Sequence, residues 1–163
     1  MNNYLKELIR KENLNLLIII IFLFFIDRVS KNIILEKFNQ YSYFVNDYLN
    51  LNLIWNTGIG FGIFSSINNF SYHIITLIIG IIILFLFYLC FKSRNKREKI
   101  IFSLIIGGAL GNIYDRIVFR AVPDFIDIHY KNFHWFTFNA ADIFISIGVI
   151  ALVLSGVKEK KEI

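Results

Sequence analysis

The sequence predicts an all-α polytopic membrane protein with four transmembrane helices, both termini in the cytoplasm and a small strand-containing cap on the outer face. The first observation is composition: 56% of the 163 residues are hydrophobic and 18% are charged, against roughly 45–50% and 25% in soluble domains. The mean hydropathy is +0.60. A soluble chain of this composition would expose large apolar patches, which soluble monomers rarely do. The other two observations are four long apolar segments and an uneven distribution of basic residues.

Each of the four apolar segments has about 20 residues, the length that crosses the hydrocarbon core of a bilayer as a helix. They cover residues 14–34, 70–91, 100–119 and 136–157. The second has no Asp, Glu, Lys or Arg, whereas the others carry ionisable residues toward one end. We expect a single membrane domain over residues 1–163, with the outer cap formed by residues 35–69 and 120–135.

Basic residues accumulate in three of the segments outside these spans. Eleven of the seventeen lie in the N-terminal tail, in the loop at residues 92–99 or in the tail after Val157. Because cytoplasmic segments carry the excess of Lys and Arg, these three segments are predicted to be cytoplasmic. The net charge of +5 therefore reflects orientation in a membrane. No nucleic-acid partner is expected, because a short loop between two spans forms no nucleic-acid-binding domain.

The outer segments have a pattern of their own. Residues 49–53 alternate strictly between apolar and polar, which is typical of a half-buried strand. Trp55 and Trp135 both lie in these segments, and amphipathic aromatic residues are enriched where a membrane meets water. We therefore expect a small cap, containing at least one strand, that rests on the outer leaflet.

Three of the predicted helices carry a carboxylate in the outer half of the membrane. With a rise of about 1.5 Å per residue, Asp27 and Asp115 lie roughly 20 Å from the cytoplasmic ends of their spans. By the same rise, Asp142 lies about 9 Å inside the outer end of the fourth span. Ionisable groups at this depth are costly and are functional candidates by default.

Some of these groups have a structural interpretation. Asp27 and Lys31 are four residues apart on a helix, which favours an ion pair between them. Asn112, Asp115 and Arg116 share a helical face, where an Asp115–Arg116 pair would neutralise the arginine. The glycine-rich segment 107–111 just before them contains a small-xxx-small pattern that lets helix backbones approach closely. For this part of the chain we favour packing, positioning and charge compensation.

Asp124 and Asp142 are harder to explain structurally. Arg120 lies four residues before Asp124, but Pro123 argues against a helix there, and Asp142 has no basic residue within one helical turn. Two such carboxylates brought close would share one proton. One could then deprotonate a water while the other donates to a carbonyl oxygen, as in an aspartic protease. Paired aspartates in a membrane fit proton transport as well, so the residues alone leave both functions open.

Five segments of the chain, in order, resemble lipoprotein signal peptidase (signal peptidase II). They are residues 27–31 (DRVSK), 56–62 (NTGIGFG), 107–116 (GGALGNIYDR), 122–127 (VPDFID) and 138–142 (FNAAD). A single one of these motifs would be weak, but five in order together with four predicted spans make the resemblance specific. Pro123 departs from the family pattern, which commonly has a branched apolar residue there, and Ala140 replaces a larger apolar residue.

The resemblance implies a polytopic aspartic endopeptidase of the bacterial inner membrane, with its active site near the periplasmic face. Such enzymes cut the signal peptide from prolipoproteins just before a cysteine that carries diacylglycerol. It implies Asp124 and Asp142 as the catalytic residues, and a lid-like helix between the first two spans. No metal or organic cofactor is expected; the partners are prolipoprotein signal peptides and membrane lipids, and a monomer is expected. The candidate supporting and substrate-binding residues are Asp27, Lys31, Asn56, Gly58, Asn112, Asp115, Arg116 and Asn139.

Two other functions and two other kinds of site fit parts of the sequence. A small proton-coupled carrier would use Asp27, Asp115 and Asp142 as a relay, and a scaffold would need none of the aspartates. Glycines 58, 60 and 62 lack the Lys-Ser/Thr of a phosphate-binding loop, so we expect a turn or hinge there. Asp127, His129 and His134 have metal-binding side chains, but on flexible loops and without a fourth ligand the sequence does not favour a metal site.

Overall fold

The computed structural model describes residues 11–38, 41–58 and 69–159. Within these ranges the chain forms four α-helices and four β-strands. The helices are α1 (Lys11–Lys37), α2 (Asn69–Lys92), α3 (Lys96–Phe119) and α4 (Ala140–Glu159). The strands are β1 (Tyr43–Asn46), β2 (Leu49–Asn56), β3 (Val122–Tyr130) and β4 (Phe133–Phe138). A helical bundle with a small antiparallel sheet is thus the architecture of the described chain.

The helices carry large apolar side chains on their outer surfaces. In α2, Leu77 is 64% exposed and Leu84 is 70% exposed. Two described helices, Tyr72–Lys92 and Lys96–Phe119, are long and apolar enough to cross a membrane, and Ala140–Gly156 is a shorter apolar helix. Exposed apolar surface on this scale suits contact with lipid, because soluble monomers rarely expose such patches.

Helix α3 is the centre of the bundle and packs against each of the other three helices. Two of its glycines make this packing possible. A Cβ atom at Gly108 would lie 2.5 Å from the carbonyl oxygen of Ala141 in α4, and one at Gly111 would overlap the carboxylate of Asp27 in α1. The packing role predicted for the small residues of this segment is therefore confirmed.

The four strands form one antiparallel sheet in the order β1-β2-β3-β4. Strands β1 and β2 come from the segment between α1 and α2, whereas β3 and β4 form a hairpin between α3 and α4. In the register of β2 and β3, Ile54 lies opposite Asp124, and Asn56 lies opposite Val122. The two segments predicted to form a cap thus meet in a single sheet that carries Asp124.

Two boundaries differ from the prediction. Strand β2 extends beyond residues 49–53, and β3 and β4 show that residues 120–135 are also mostly strand. Residues 136–138, assigned from hydropathy to the fourth span, belong to β4, and α4 begins at Ala140. Aromatic residues such as Phe136 and Phe138 favour a strand as well as a membrane, so hydropathy alone does not separate the two.

Several predictions concern residues that are not described. The N-terminal tail before Lys11, the residues after Glu159, and residues 59–68 with the expected lid-like helix and Gly60 and Gly62 lie outside the described ranges. The expectations for these segments stay predictions.

Candidate active site

Asp124 lies near the start of β3, and its buried carboxylate accepts hydrogen bonds from two asparagines. Asn56 Nδ2, at the end of the neighbouring strand β2, donates to Asp124 Oδ2 at 2.9 Å. Asn139 Nδ2, just after β4, donates to Asp124 Oδ1 at 2.5 Å. Pro123, the departure from the family pattern, lies opposite Trp55 in the β2–β3 register, so the strand continues through it into Asp124.

Asp142 lies in the first turn of α4, and Asn139 is the N-cap of that helix. Asn139 Oδ1 accepts from the backbone N–H of Asp142 at 3.1 Å, and Asp142 Oδ2 accepts from the backbone N–H of Asn139 at 3.1 Å. This reciprocal arrangement is a capping box. Because α4 begins at Ala140, Asp142 is about 3 Å from the N-terminal end of its helix. The predicted depth of about 9 Å was therefore wrong, since it counted residues of β4 as helix.

Asn139 links the two aspartates. Its side-chain nitrogen binds Asp124, while its backbone nitrogen binds Asp142. Asn112 Nδ2 of α3 donates to the other oxygen of Asp142 at 2.8 Å. The structure therefore brings both predicted catalytic residues, from a strand and a helix, into one hydrogen-bonded cluster with three asparagines.

The surroundings of Asp124 perturb its titration. Burial is the largest cause and the charge of Asp142 is the second, and together they raise the pKa of Asp124 to about 7. The hydrogen bonds from Asn56 and Asn139 oppose this shift by stabilising the charged form. Asp124 can therefore hold a proton near neutral pH, which general acid catalysis requires.

A second buried cluster joins α1 to α3. Lys31 Nζ lies 2.9 Å from Asp27 Oδ2 and 2.7 Å from Asp115 Oδ2. Arg28 forms ion pairs with the same two carboxylates, at 2.7 Å to Asp27 and 2.5 Å to Asp115. The two cations and two anions balance each other, so no net charge is buried. The predicted Asp27–Lys31 pair is confirmed.

The predicted Asp115–Arg116 pair was wrong. Neighbours in sequence on a helix diverge by about 100° around its axis, and the carboxylate of Asp115 points toward α1, where it binds Arg28 and Lys31. Arg116 instead donates through Nη2 to the carbonyl oxygen of Gly58. Gly58 N–H in turn donates to Asn56 Oδ1 at 2.9 Å, so Arg116 and Gly58 support the asparagine that holds Asp124.

The ionic cluster also reaches the aspartate pair. Lys31 Nζ donates to Asn112 Oδ1 at 3.0 Å, and Asn112 binds Asp142 through its nitrogen. Asp27 Oδ1 accepts from the backbone N–H of Ala141 at 3.0 Å. All eight residues predicted to support the site therefore belong to one network around Asp124 and Asp142. Whether each takes part in function stays a prediction.

Sequence reasoning did not select two residues of this network, Arg28 and Tyr72. Arg28 lies inside the DRVSK segment, and its charge at membrane depth was the available signal. Tyr72 of α2 donates its hydroxyl to the backbone oxygen of Arg116 at 2.9 Å. A tyrosine near the end of an apolar span has an ordinary interfacial role, so no signal distinguished it.

The bundle of apolar helices and the hydrogen-bonded pair of carboxylates define a helical membrane protein with a candidate acid–base site. The family model described as signal peptidase (SPase) II matches residues 19–158. The chain belongs to the signal peptidase II family.

Individual relatives agree with this assignment. The chain is 49% identical over 141 residues to the lipoprotein signal peptidase of Pelagibacter ubique, covering 85% of this chain and 84% of the relative. It is 39% identical over 119 residues to that of Anaplasma phagocytophilum, covering 73% and 76%. A solved structure described as a bacterial membrane enzyme superimposes with a TM-score of 0.76 at 31% identity, covering 91% of this chain and 90% of that one.

These similarities decide between the functions that the residues left open. The resemblance to signal peptidase II is confirmed, and the chain is a peptidase of membranes. The alternative of a proton-coupled carrier is not supported, because the matching family and these relatives are peptidases.

Proposed function

We propose that this chain is an intramembrane aspartic endopeptidase that removes the signal peptide from prolipoproteins, cutting just before a diacylglyceryl-modified cysteine. Family membership supports the substrate class. The observation that carries the aspartic mechanism is the pair of buried Asp124 and half-buried Asp142, joined through Asn139. No metal or organic cofactor has a part in the proposed reaction.

In the proposed reaction, Asp142 accepts a proton from a water molecule, and the hydroxyl oxygen attacks the scissile carbonyl carbon. Asp124 donates its proton to the carbonyl oxygen, which gives a neutral tetrahedral diol. Asp124 then takes back a proton from one hydroxyl of the diol, the C–N bond breaks to release a carboxyl group, and the leaving nitrogen takes the proton held by Asp142. The raised pKa of Asp124, about 7, supports its role as the acid.

An apolar groove beside Asp142 supports binding of lipid or of an apolar signal peptide. The groove has a volume of about 290 Å³ and is lined by Phe138, Ile147 and Ile150 among others, with Asp142 at one side. In the proposal the diacylglyceryl cysteine enters sideways from the bilayer, and its acyl chains lie against the apolar helices while the peptide bond reaches the aspartates. Such entry needs no aqueous path through the bundle.

The placement in the cell is part of the proposal. We infer four membrane-spanning helices in the inner membrane, with both termini cytoplasmic and the sheet on the periplasmic side, in a monomer formed by a single domain. Three observations support it: α1 and α4 are largely apolar, the loop at residues 92–99 is strongly basic, and Asp124 is carried by the sheet formed by the predicted outer segments.

Single substitutions of the two aspartates test the mechanism. Asp124→Asn and Asp142→Asn keep the size of each side chain but remove an ionisable carboxyl group, so each should reduce cleavage of a diacylated prolipoprotein peptide by at least about 1,000-fold. The control is Asp47→Asn, which removes an exposed carboxylate from the turn between β1 and β2. This variant should cleave the prolipoprotein peptide at the normal rate. Normal turnover by a folded variant of either Asp124 or Asp142 would exclude that residue from the reaction.

A further inference from the structure

Three metal-binding side chains meet on the β3–β4 hairpin, apart from the aspartate pair. The sequence alone predicts flexible loops for these residues and does not favour a metal site. They lie instead on paired strands: Asp127 and His129 are two residues apart on β3, and His134 on β4 is the register partner of His129. The β3–β4 register is irregular between Asp127 and His129, but both side chains are buried while Ile128 between them is exposed. Asp127 and His129 therefore point to the same face of the hairpin.

The donor atoms are close together. One ligand atom from each of Asp127, His129 and His134 lies within 4.8 Å of the other two. His134 Nδ1 is 2.8 Å from Asp127 Oδ2, and the two imidazole rings stack with centroids 5.2 Å apart. Tetrahedral zinc with ligand bonds of about 2.0–2.2 Å brings donors to roughly 3.3 Å from one another. His134, whose side chain is 55% exposed, has the freedom to close the remaining gap.

Two buried polar atoms of this cluster lack a partner. Within the described part of the chain, Asp127 Oδ1 and His129 Nδ1 have no hydrogen bond, although Asp127 is only 4% exposed and His129 only 9%. Buried polar atoms are nearly always satisfied, and an unsatisfied one calls for a specific explanation such as an ion. Here both atoms belong to good metal ligands and both lie in the same cluster.

We propose that Asp127, His129 and His134 bind a divalent transition-metal cation, with Zn²⁺ as the occupant. Two imidazoles and one carboxylate suit zinc better than they suit Mg²⁺ or Ca²⁺, which prefer oxygen ligands. The exposed side of His134 leaves the fourth position to water. Because the ligands join β3 to β4 and β3 also carries Asp124, the cation would stabilise the strand that positions one aspartate.

Calorimetric titration of the full-length chain with ZnCl₂, in detergent and without a polyhistidine tag, tests this proposal. One saturable zinc equivalent is expected for the unmodified chain. His134→Ala should weaken that binding by at least about tenfold, and Asp127→Asn should do the same. His134 is an exposed side chain, so its truncation should leave folding and peptidase activity in zinc-free buffer unchanged.

Two variants serve as matched controls. His73→Ala removes the remaining histidine of the chain, an exposed residue of α2, and Asp124→Asn alters the aspartate pair; both should bind zinc as the unmodified chain does. The absence of saturable binding to the unmodified chain would overturn the proposal. So would binding that survives His134→Ala, and so would binding that depends on Asp124 or His73.

Discussion

Asn139 serves the candidate site through both its backbone and its side chain. The side chain caps α4 through Oδ1 and binds Asp124 through Nδ2, while the backbone N–H binds Asp142. An N-cap residue is ordinarily replaceable by Ser, Thr or Asp. The second bond, to Asp124, needs an amide donor, so the two roles can be separated by substitution.

Replacing Asn139 by Ala and by Ser should separate stability from catalysis. Asn139→Ala removes the cap, which costs roughly 1 kcal/mol of stability, and removes the donor to Asp124. Asn139→Ser keeps a capping oxygen, so the apparent Tm should largely recover. Both variants lose a hydrogen bond to a charged or proton-sharing group, worth about 1.5–3 kcal/mol, so kcat should fall by about 10- to 100-fold in each. Full activity of the Ser variant would show that only the cap matters.

The titration of Asp124 predicts a pH dependence of stability. Its pKa is about 7 in the folded protein and about 3.9 in an unfolded chain, so between these values the folded state binds more protons. Stability contributed by this group therefore falls as the pH rises from about 4 to about 7 and changes little above that. Thermal unfolding in detergent at about pH 5 and about pH 8 should show the loss. Asp124→Asn should reduce this loss of stability between the two pH values, and Asp47→Asn should leave the loss unchanged.

At the scale of single elements, the close approach of α3 to its neighbours decides where the site residues lie. Gly108 touches the backbone of α4 next to Asp142, and Gly111 touches Asp27 of α1. The ionic cluster lies between the same helices. Removing one member of such a buried pair typically costs several kcal/mol, because the remaining charge stays buried. The helices are therefore held in one relative position by sterics and charge together.

Gly108→Ala tests this packing against a matched substitution in the same bundle. The added methyl would meet the carbonyl oxygen of Ala141 at 2.5 Å, so α4 must shift, with a loss of about 1–3 kcal/mol and reduced peptidase activity. At Gly156, near the end of α4, an added Cβ meets nothing within 4 Å. Gly156→Ala should therefore be neutral or stabilising, by up to about 1 kcal/mol. Thermal unfolding and cleavage assays of both variants distinguish these outcomes.

The sequence was most informative about which segments form helices, and least informative about which side chains pair with one another. Hydropathy located all four helices, because an apolar stretch of about 20 residues has few other structures open to it. It misassigned residues 136–138, since aromatic strands and spans share composition. The partners of Asp115 were not predictable, because Arg28 comes from a helix more than 80 residues away in sequence. The residues alone singled out Asp124 and Asp142 but left a carrier open, and the resemblance was needed to favour a protease.

For the whole molecule, the opposite placement of the sheet and the basic α2–α3 loop predicts an orientation that can be measured. In a Cys90→Ala background, Asp47→Cys should react with a membrane-impermeant maleimide added to intact spheroplasts. Arg94→Cys should react only after the membrane is permeabilised, because basic loops face the cytoplasm. Both positions are exposed, so accessibility within the fold is not limiting. Labelling of Arg94→Cys in intact spheroplasts would contradict the proposed orientation.

The bond between Asp27 and the backbone of Ala141 spans 114 residues of sequence. A chain emerging from the ribosome carries α1 long before the Asp142 helix has been synthesised. The contact between α1 and α4 therefore cannot form until the last helix has been synthesised and has docked against the first. In the proposed mechanism, a partly synthesised chain has Asp124 without Asp142 and is inactive. In that mechanism the order of synthesis delays proteolysis until the fold is complete.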